Sequence, residues 1–179
     1  LEQKDFDNEY FFEMKVSFCK SCYMFQLIEQ PEPERMFHEN YAFFSGTSNY
    51  MDLHFKKTAD IVKNKYLNNI SKPKILEIGS NDGIFLKNFN HDNFLAVGIE
   101  PSKNVHDIAK KKGLNSINEF LNFDLSERIK NKYGQFDVIY SANVMCHIPN
   151  INEIAKSIKN LINNEGYFVF EDPYLGSML

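Results

Sequence analysis

The stretch Lys74-Ile-Leu-Glu-Ile-Gly-Ser-Asn-Asp-Gly83 concentrates side chains that can do chemistry. An apolar run carrying one acid, Glu77, leads into Gly79, Ser80, Asn81, Asp82 and Gly83. Gly79 lets the backbone pass close to a ligand, and Gly83 lets the next element pack tightly as it starts. A dinucleotide fingerprint, G-x-G-x-x-G, would use small residues there to meet a pyrophosphate. Here a side chain stands where the second glycine should be, and Asp82 would repel a phosphate. Glu100 lies seventeen residues after Gly83, just past a second apolar run, where an acid can accept both hydroxyls of a ribose. Each residue also has a plainer reading. The glycines could serve only the turn, Glu77 could bond backbone N–H groups, and Glu100 could be a solvated acid before Pro101.

Two acids suit a cationic, phosphate-free ligand. S-adenosylmethionine carries an ammonium and a sulfonium and no phosphate, so the charge balance favours it over a nicotinamide dinucleotide. Histidine is the side chain best suited to proton transfer near neutral pH, which makes His147 a candidate; its plainer reading is a loop histidine bonding backbone before Pro149. Cys19 and Cys22 form the one C-x-x-C pair of the sequence.

These residues need elements to hold them. Lys74–Ile78, 94–99, 115–117, 136–141 and 166–171 read as strands. Helices are expected over 82–88, 103–112 and 151–162, the last capped by Asn150 with Glu153 three residues on. Before them, Met51, Phe55, Ala59, Val62 and Tyr66 recur at helical spacing, with Thr47 or Ser48 as N-cap and an end near Asn68 and Asn69. Alternating strands and helices predict an α/β fold: a Rossmann-like, doubly wound, mostly parallel sheet. The strands at Ile75, Val97 and Val138 should be central, because they are nearly continuous apolar runs. Residues 1–45 differ in texture, being rich in Phe with prolines at 31 and 33, and read as a small separate β/loop segment around Cys19 and Cys22; residues 46–179 form the main domain.

Composition narrows the class. The chain has 179 residues, 43% apolar and 25% charged, which supplies a core and excludes disorder. The net charge of −4 argues against a sequence-independent nucleic-acid binder. Lys110, Lys111 and Lys112 read as the solvated end of a helix. No apolar stretch is long enough to span a membrane. The acidic, polar N-terminus does not read as a signal peptide. Three cysteines make no disulfide framework, which fits a reducing cytoplasm.

Glu77-Ile-Gly-Ser-Asn-Asp-Gly83, Gly98-Ile-Glu-Pro-Ser102 and Ser141-Ala-Asn-Val-Met-Cys-His-Ile-Pro149 resemble the class I S-adenosylmethionine-dependent methyltransferases. The set is most similar to the sugar C-methyltransferases that act on nucleotide-linked keto-deoxysugars and carry an N-terminal zinc-binding domain. Phe43-Phe-Ser-Gly-Thr-Ser48 and Phe170-Glu-Asp-Pro-Tyr-Leu-Gly176 extend the likeness. The resemblance implies that Gly79, Ser80, Asn81 and Gly83 line the methionine half of the donor, with Glu77 and Asp82 beside them. Glu100 takes the ribose hydroxyls, with Ser102 beside it, Pro101 flanks the adenine, and Asn118, Glu119 and Phe120 hold the adenine ring. Ser141, Ala142 and Asn143 lie beneath the sulfonium. His147 and Tyr41 become the catalytic candidates, His147 as base or as a group that orients the acceptor; Tyr41 could equally be a core aromatic. Cys19 and Cys22 become zinc ligands in a complete site.

Three departures stand out. The second cysteine pair is absent, and Cys146, far from the first, reads as merely buried. A Tyr-x-Glu-His cluster and the last two strands of the family sheet are also absent. The chain starts at Leu1 and stops at Leu179, so it reads as truncated at both ends, binding donor with little turnover. Its fifth strand would leave an open edge that invites a homodimer. The expected partner is a small-molecule acceptor, a nucleotide-linked sugar. Other readings are a methyltransferase for another small metabolite, a nicotinamide-dependent oxidoreductase, and a zinc-ribbon module binding nucleic acid.

Overall fold

The computed structural model describes residues 9–90 and 93–177. Most of the acidic N-terminus and Leu179 lie outside them. The chain divides into two compact units, with the boundary between Met36 and Phe37. In the first, β1 (Val16–Phe18) and β2 (Phe25–Leu27) form an antiparallel hairpin, followed by a single turn of helix, α1 (Pro33–Met36).

The second unit is built on a five-stranded sheet. α2 (Asn49–Val62) starts at Ser48, whose side chain accepts from the Met51 N–H, and continues as a π-helical turn to Leu67. Then follow β3 (Lys74–Ile78), β4 (Leu95–Ile99), α3 (Lys103–Lys111), β5 (Ser116–Ile117), α4 (Phe123–Tyr133), β6 (Phe136–Ala142), α5 (Ile151–Leu161) and β7 (Ile162–Glu171). The strand order is β5-β4-β3-β6-β7, and every pairing is parallel. The expected central strands are central because both their faces are covered. Ile75, Val138 and Tyr140 pack against Phe55, Ala59 and Val62 of α2. On the other face, Leu76, Ile78, Val97 and Ile139 meet Leu125 and Ile129 of α4 and Ile154, Ile158 and Leu161 of α5. The direction of winding changes between β3 and β6, so the crevice beyond their carboxyl ends is the natural ligand site of an open parallel sheet.

Two elements differ from the sequence reading. α4 was not expected. Asn122 caps it by accepting the Leu125 N–H at 2.8 Å, and Gly134 ends it with φ of 76°. Its buried face is narrow, only Leu125, Ser126 and Ile129 among charged neighbours, so the helical period is faint. The helix expected over 82–88 is instead a series of turns ending in a 3-10 turn, Leu86–Phe89. The Asn88 amide donates to the carbonyls of Ile84 and Phe85, competing with helical pairing. No helix among the described residues is long and apolar enough to cross a membrane.

Gly83 has φ of 81°, and a Cβ there would run into Leu114. The Gly83→Ala variant is expected to lose about 1–3 kcal/mol of stability from backbone strain and overlap. Calorimetry would show this as a Tm several degrees lower; an unchanged Tm would show that the turn tolerates a side chain.

Candidate functional site

The loop leaving β3 does not extend outward; it folds back onto β4. The N–H groups of Gly79 and Ser80 both donate to the Ile99 carbonyl, at 2.8 and 3.0 Å. The Asn81 N–H donates to Glu100 Oε2 at 2.9 Å, and the Ser102 N–H donates to Glu100 Oε1 at 2.8 Å. Gly79 has φ of 72°, and a Cβ on it would overlap Val144, so this loop also touches the loop after β6. Asn118 completes the floor by donating to the carbonyls of Glu100 and Pro101, at 2.8 and 2.7 Å.

Three acids are buried here. Glu77, Asp82 and Glu100 are 3%, 4% and 4% exposed. Burial, then the charges of Glu100 and Asp82, push the Glu77 carboxyl well above the usual range, against a backbone N–H from Leu86. Burial also raises Glu100, opposed by the N–H groups of Ser102 and Asn81. Glu77 Oε2, Ser80 Oγ and Ser141 Oγ are buried without a hydrogen-bond partner, as is the hydroxyl of Tyr140, the cross-strand neighbour of Glu77. Buried polar atoms left unpaired cost about 1–3 kcal/mol each, so a polar ligand at this spot has groups waiting for it.

Asp82 is placed differently from its role in the sequence argument. Its Oδ2 lies 3.1 Å from Lys112 Nζ, and that ammonium also donates to the Asp82 carbonyl. Lys112 is thus not merely the solvated end of α3, and the uncompensated acids at the site are Glu77 and Glu100. Asn81 turns its amide away from the loop floor, toward Ser45 and Phe43. Glu119 pairs with Arg128 through both oxygens, which holds its carboxyl below the usual range. Phe120 is half-buried beside it.

At the end of β6, Ser141 is buried and Ala142 packs against the α2 face; just beyond it, Asn143 takes φ of 55° while its N–H donates to the Glu171 carbonyl. His147 is exposed in the 3-10 turn Met145–His147, and Cys146, expected to be buried, is exposed with it. Phe37 stands between the two catalytic candidates. Its ring lies 5.6 Å from that of Tyr41 and 5.9 Å, edge-on, from that of His147. Burial and the Glu100 charge raise the Tyr41 phenol.

Sequence reasoning missed Phe37, Lys112 and the pair His54–Glu171, in which Nε2 lies 3.0 Å from both carboxylate oxygens. Only the position of His54 on α2 and of Glu171 at a strand end could have suggested that pair.

Cys19 and Cys22 sit in the turn of the first unit's hairpin. N–H groups of Cys22 and Ser21 reach the Cys19 sulfur and hold its thiol below the usual range. Among the described residues, no three His, Cys, Asp or Glu side chains are grouped to hold a metal.

A carboxyl whose folded value lies above its unfolded value, about 4.5 for Glu77, binds its proton more tightly when folded. The stability it contributes is complete below that unfolded value and is lost as pH rises through the folded one. Glu77→Gln is therefore expected to raise the urea midpoint at about pH 8 and to change it least at about pH 4. Equal shifts at both pH values would contradict a desolvated Glu77.

Comparison with known proteins agrees with this fold. The family described as a methyltransferase domain matches residues 50–177. The C-methyltransferase NovU of Streptomyces niveus is 25% identical over 178 residues, 99% of this chain and 42% of NovU. The plantazolicin methyltransferase BpumL, solved with SAH and a pentazolic desmethylPZN analog, superposes with a TM-score of 0.60 at 20% identity, over 74% of this chain and 53% of that one. An S-adenosylmethionine-dependent methyltransferase from Clostridium acetobutylicum gives 0.53 at 20% identity, over 65% and 49%. The chain spans about half the length of these relatives. The structural likenesses establish the fold, and the match across 50–177 establishes the family: the chain belongs to the methyltransferase-domain family.

Proposed function

We propose that the chain binds S-adenosylmethionine at the carboxyl ends of β3 and β4, and that its protein methylates a carbon of a nucleotide-linked keto-deoxysugar. The observation that carries this reading is the pair of desolvated acids, Glu77 and Glu100, on adjacent strand ends beside unpaired Ser80 and Ser141 hydroxyls. A buried acid with a free oxygen fits an ammonium. Each Glu100 oxygen already accepts one N–H and retains a lone pair for a ribose hydroxyl. Pro101, Asn118 and Phe120 flank the place for the base.

When bound, S-adenosylmethionine supplies a methyl group made electrophilic by its sulfonium. The chain's own residues do the rest. Glu77 and Glu100 fix the two ends of the donor, and the fixed loop contributes mainly alignment. His147, exposed and held edge-on by Phe37, offers an imidazole nitrogen to take the proton from the carbon beside the acceptor's carbonyl. The likeness to a C-methyltransferase along nearly the whole chain supports carbon as the target. The Ala142-Asn143 to His147-Ile-Pro149 motif supports the sugar. Three free cysteines support a cytoplasmic setting.

Isothermal titration with S-adenosylhomocysteine tests the donor site. Saturable one-site binding is expected, weakened about tenfold or more, about 1.4 kcal/mol, in Glu100→Gln. No binding by the native chain would refute the reading. Offering nucleotide-linked ketosugars beside other small metabolites, and detecting the methylated carbon by NMR, tests the acceptor.

A further inference from the structure

Residues 41–46 run along the loop after β3 and are fastened to it at several points. Asn81 uses both ends of its amide. Its Oδ1 accepts the Ser45 N–H at 3.0 Å, and its Nδ2 donates to the Phe43 carbonyl at 3.1 Å. Asp82 Oδ1 accepts the Gly46 N–H at 3.2 Å. At the other end, Asn104 Nδ2, from α3, donates to the Tyr41 carbonyl at 2.7 Å. The backbone N–H of Asn81 meanwhile goes to Glu100. One residue in a left-handed conformation, φ 49°, thus joins segment, loop and acid. Asparagine is among the few side chains that tolerate that conformation.

We propose that residues 41–46 form the outer wall of the donor pocket, that Asn81 and Asp82 buckle this wall to the loop, and that it delivers Tyr41 to the nucleoside end of the pocket beside Glu100. The inference rests on the donor reading given above. It changes the roles of two residues. The Asn81 side chain is occupied by the buckle, so Asn81 is a positioning residue whose contact with the pocket is through its backbone. Tyr41 belongs to the donor side and not to the proton-transfer step. Burial beside a carboxylate keeps its phenol protonated at neutral pH, so it can donate a hydrogen bond or cover a face of the nucleoside, but does not serve as a base. The wall and the ligand then stabilise each other, because ordering one lowers the cost of ordering the other.

Gly46 separates this inference from the donor reading. A Cβ at position 46 would overlap the Asp82 carboxylate, so Gly46→Ala opens the buckle without altering a side chain that faces the ligand. Asn104→Ala loosens the Tyr41 end independently. Titrations would use S-adenosylhomocysteine and 5′-methylthioadenosine, which shares the nucleoside but lacks the amino acid. Both variants are expected to bind both ligands about tenfold more weakly, with native circular dichroism. In the native chain, S-adenosylhomocysteine should slow amide exchange at Ser45 and Gly46 by about tenfold. Native affinity in both variants, or no slowing of those amides in the liganded native chain, would overturn the inference while leaving the donor reading intact. Losses confined to S-adenosylhomocysteine would overturn the placement of Tyr41. No binding by the native chain would refute the donor reading, and this inference with it. Should Gly46→Ala fail to fold, Asn104→Ala and the exchange experiment decide.

Discussion

Two carboxylates taken out of water at the ends of neighbouring strands govern the rest of this molecule. Glu77 pairs in register with Gly98, and Glu100 follows the last residue of β4. Burying a carboxylate is unfavourable unless donors meet it. The chain meets Glu100 by bending the β3 loop back so that Asn81 gives its N–H, and by turning the α3 entry so that Ser102 gives its own. That bend is what demands left-handed backbone at Gly79 and Asn81, and a residue without a side chain where Val144 approaches. The special backbone of the loop is thus a consequence of where the acids lie. Glu77 is less well served, and one of its oxygens stays unpaired. Local cost of this kind is tolerated where the surrounding packing holds it, as the apolar faces of β3 and β6 do here.

Charge at the site is set by partners far away in sequence. Asp82 looks, in sequence, like a third acid that would sharpen the preference for a cation. In the fold its carboxylate faces Lys112, thirty positions on, and its other oxygen takes the Gly46 N–H. Its function is therefore mechanical, tying α3 and the 41–46 segment to the loop. The charge argument for a cationic ligand then rests on Glu77 and Glu100, neither of which has an ion-pair partner among the described residues.

What could be read in advance follows from the same physics. The central strands were legible because a strand covered on both faces must be apolar throughout, and Lys74–Ile78 and 136–141 are nearly so. α5 was legible because Ile154, Ile158 and Leu161 fill one face and Asn150 marks its start. α4 was hidden because a helix needing only Leu125, Ser126 and Ile129 inward leaves little period to detect. The turns after Gly83 were misjudged as helix because the deciding contact is one side chain, Asn88, bonding carbonyls that a helix would use. Candidate residues close in sequence to the glycine-rich loop were found easily. The ring of Phe37 between Tyr41 and His147 was not, since nothing local links residues 37 and 147.

The two ends of the crevice are also mechanically linked. α2 begins at Ser48, directly after the segment pinned to the β3 loop, and His54 lies within its second turn. His54 holds the Glu171 side chain, and the Glu171 carbonyl accepts the Asn143 N–H at the start of the turn that carries His147. A chain of contacts thus runs from the segment before α2, through His54, to the end of β7 and on to the turn that carries His147. The helix in that chain of contacts is held by its buried face, where Phe55, Ala59 and Val62 pack against β3 and β6. The loop after β3 and the His147 turn are therefore joined by a continuous set of contacts, although they leave different strands and share no hydrogen bond among the described residues.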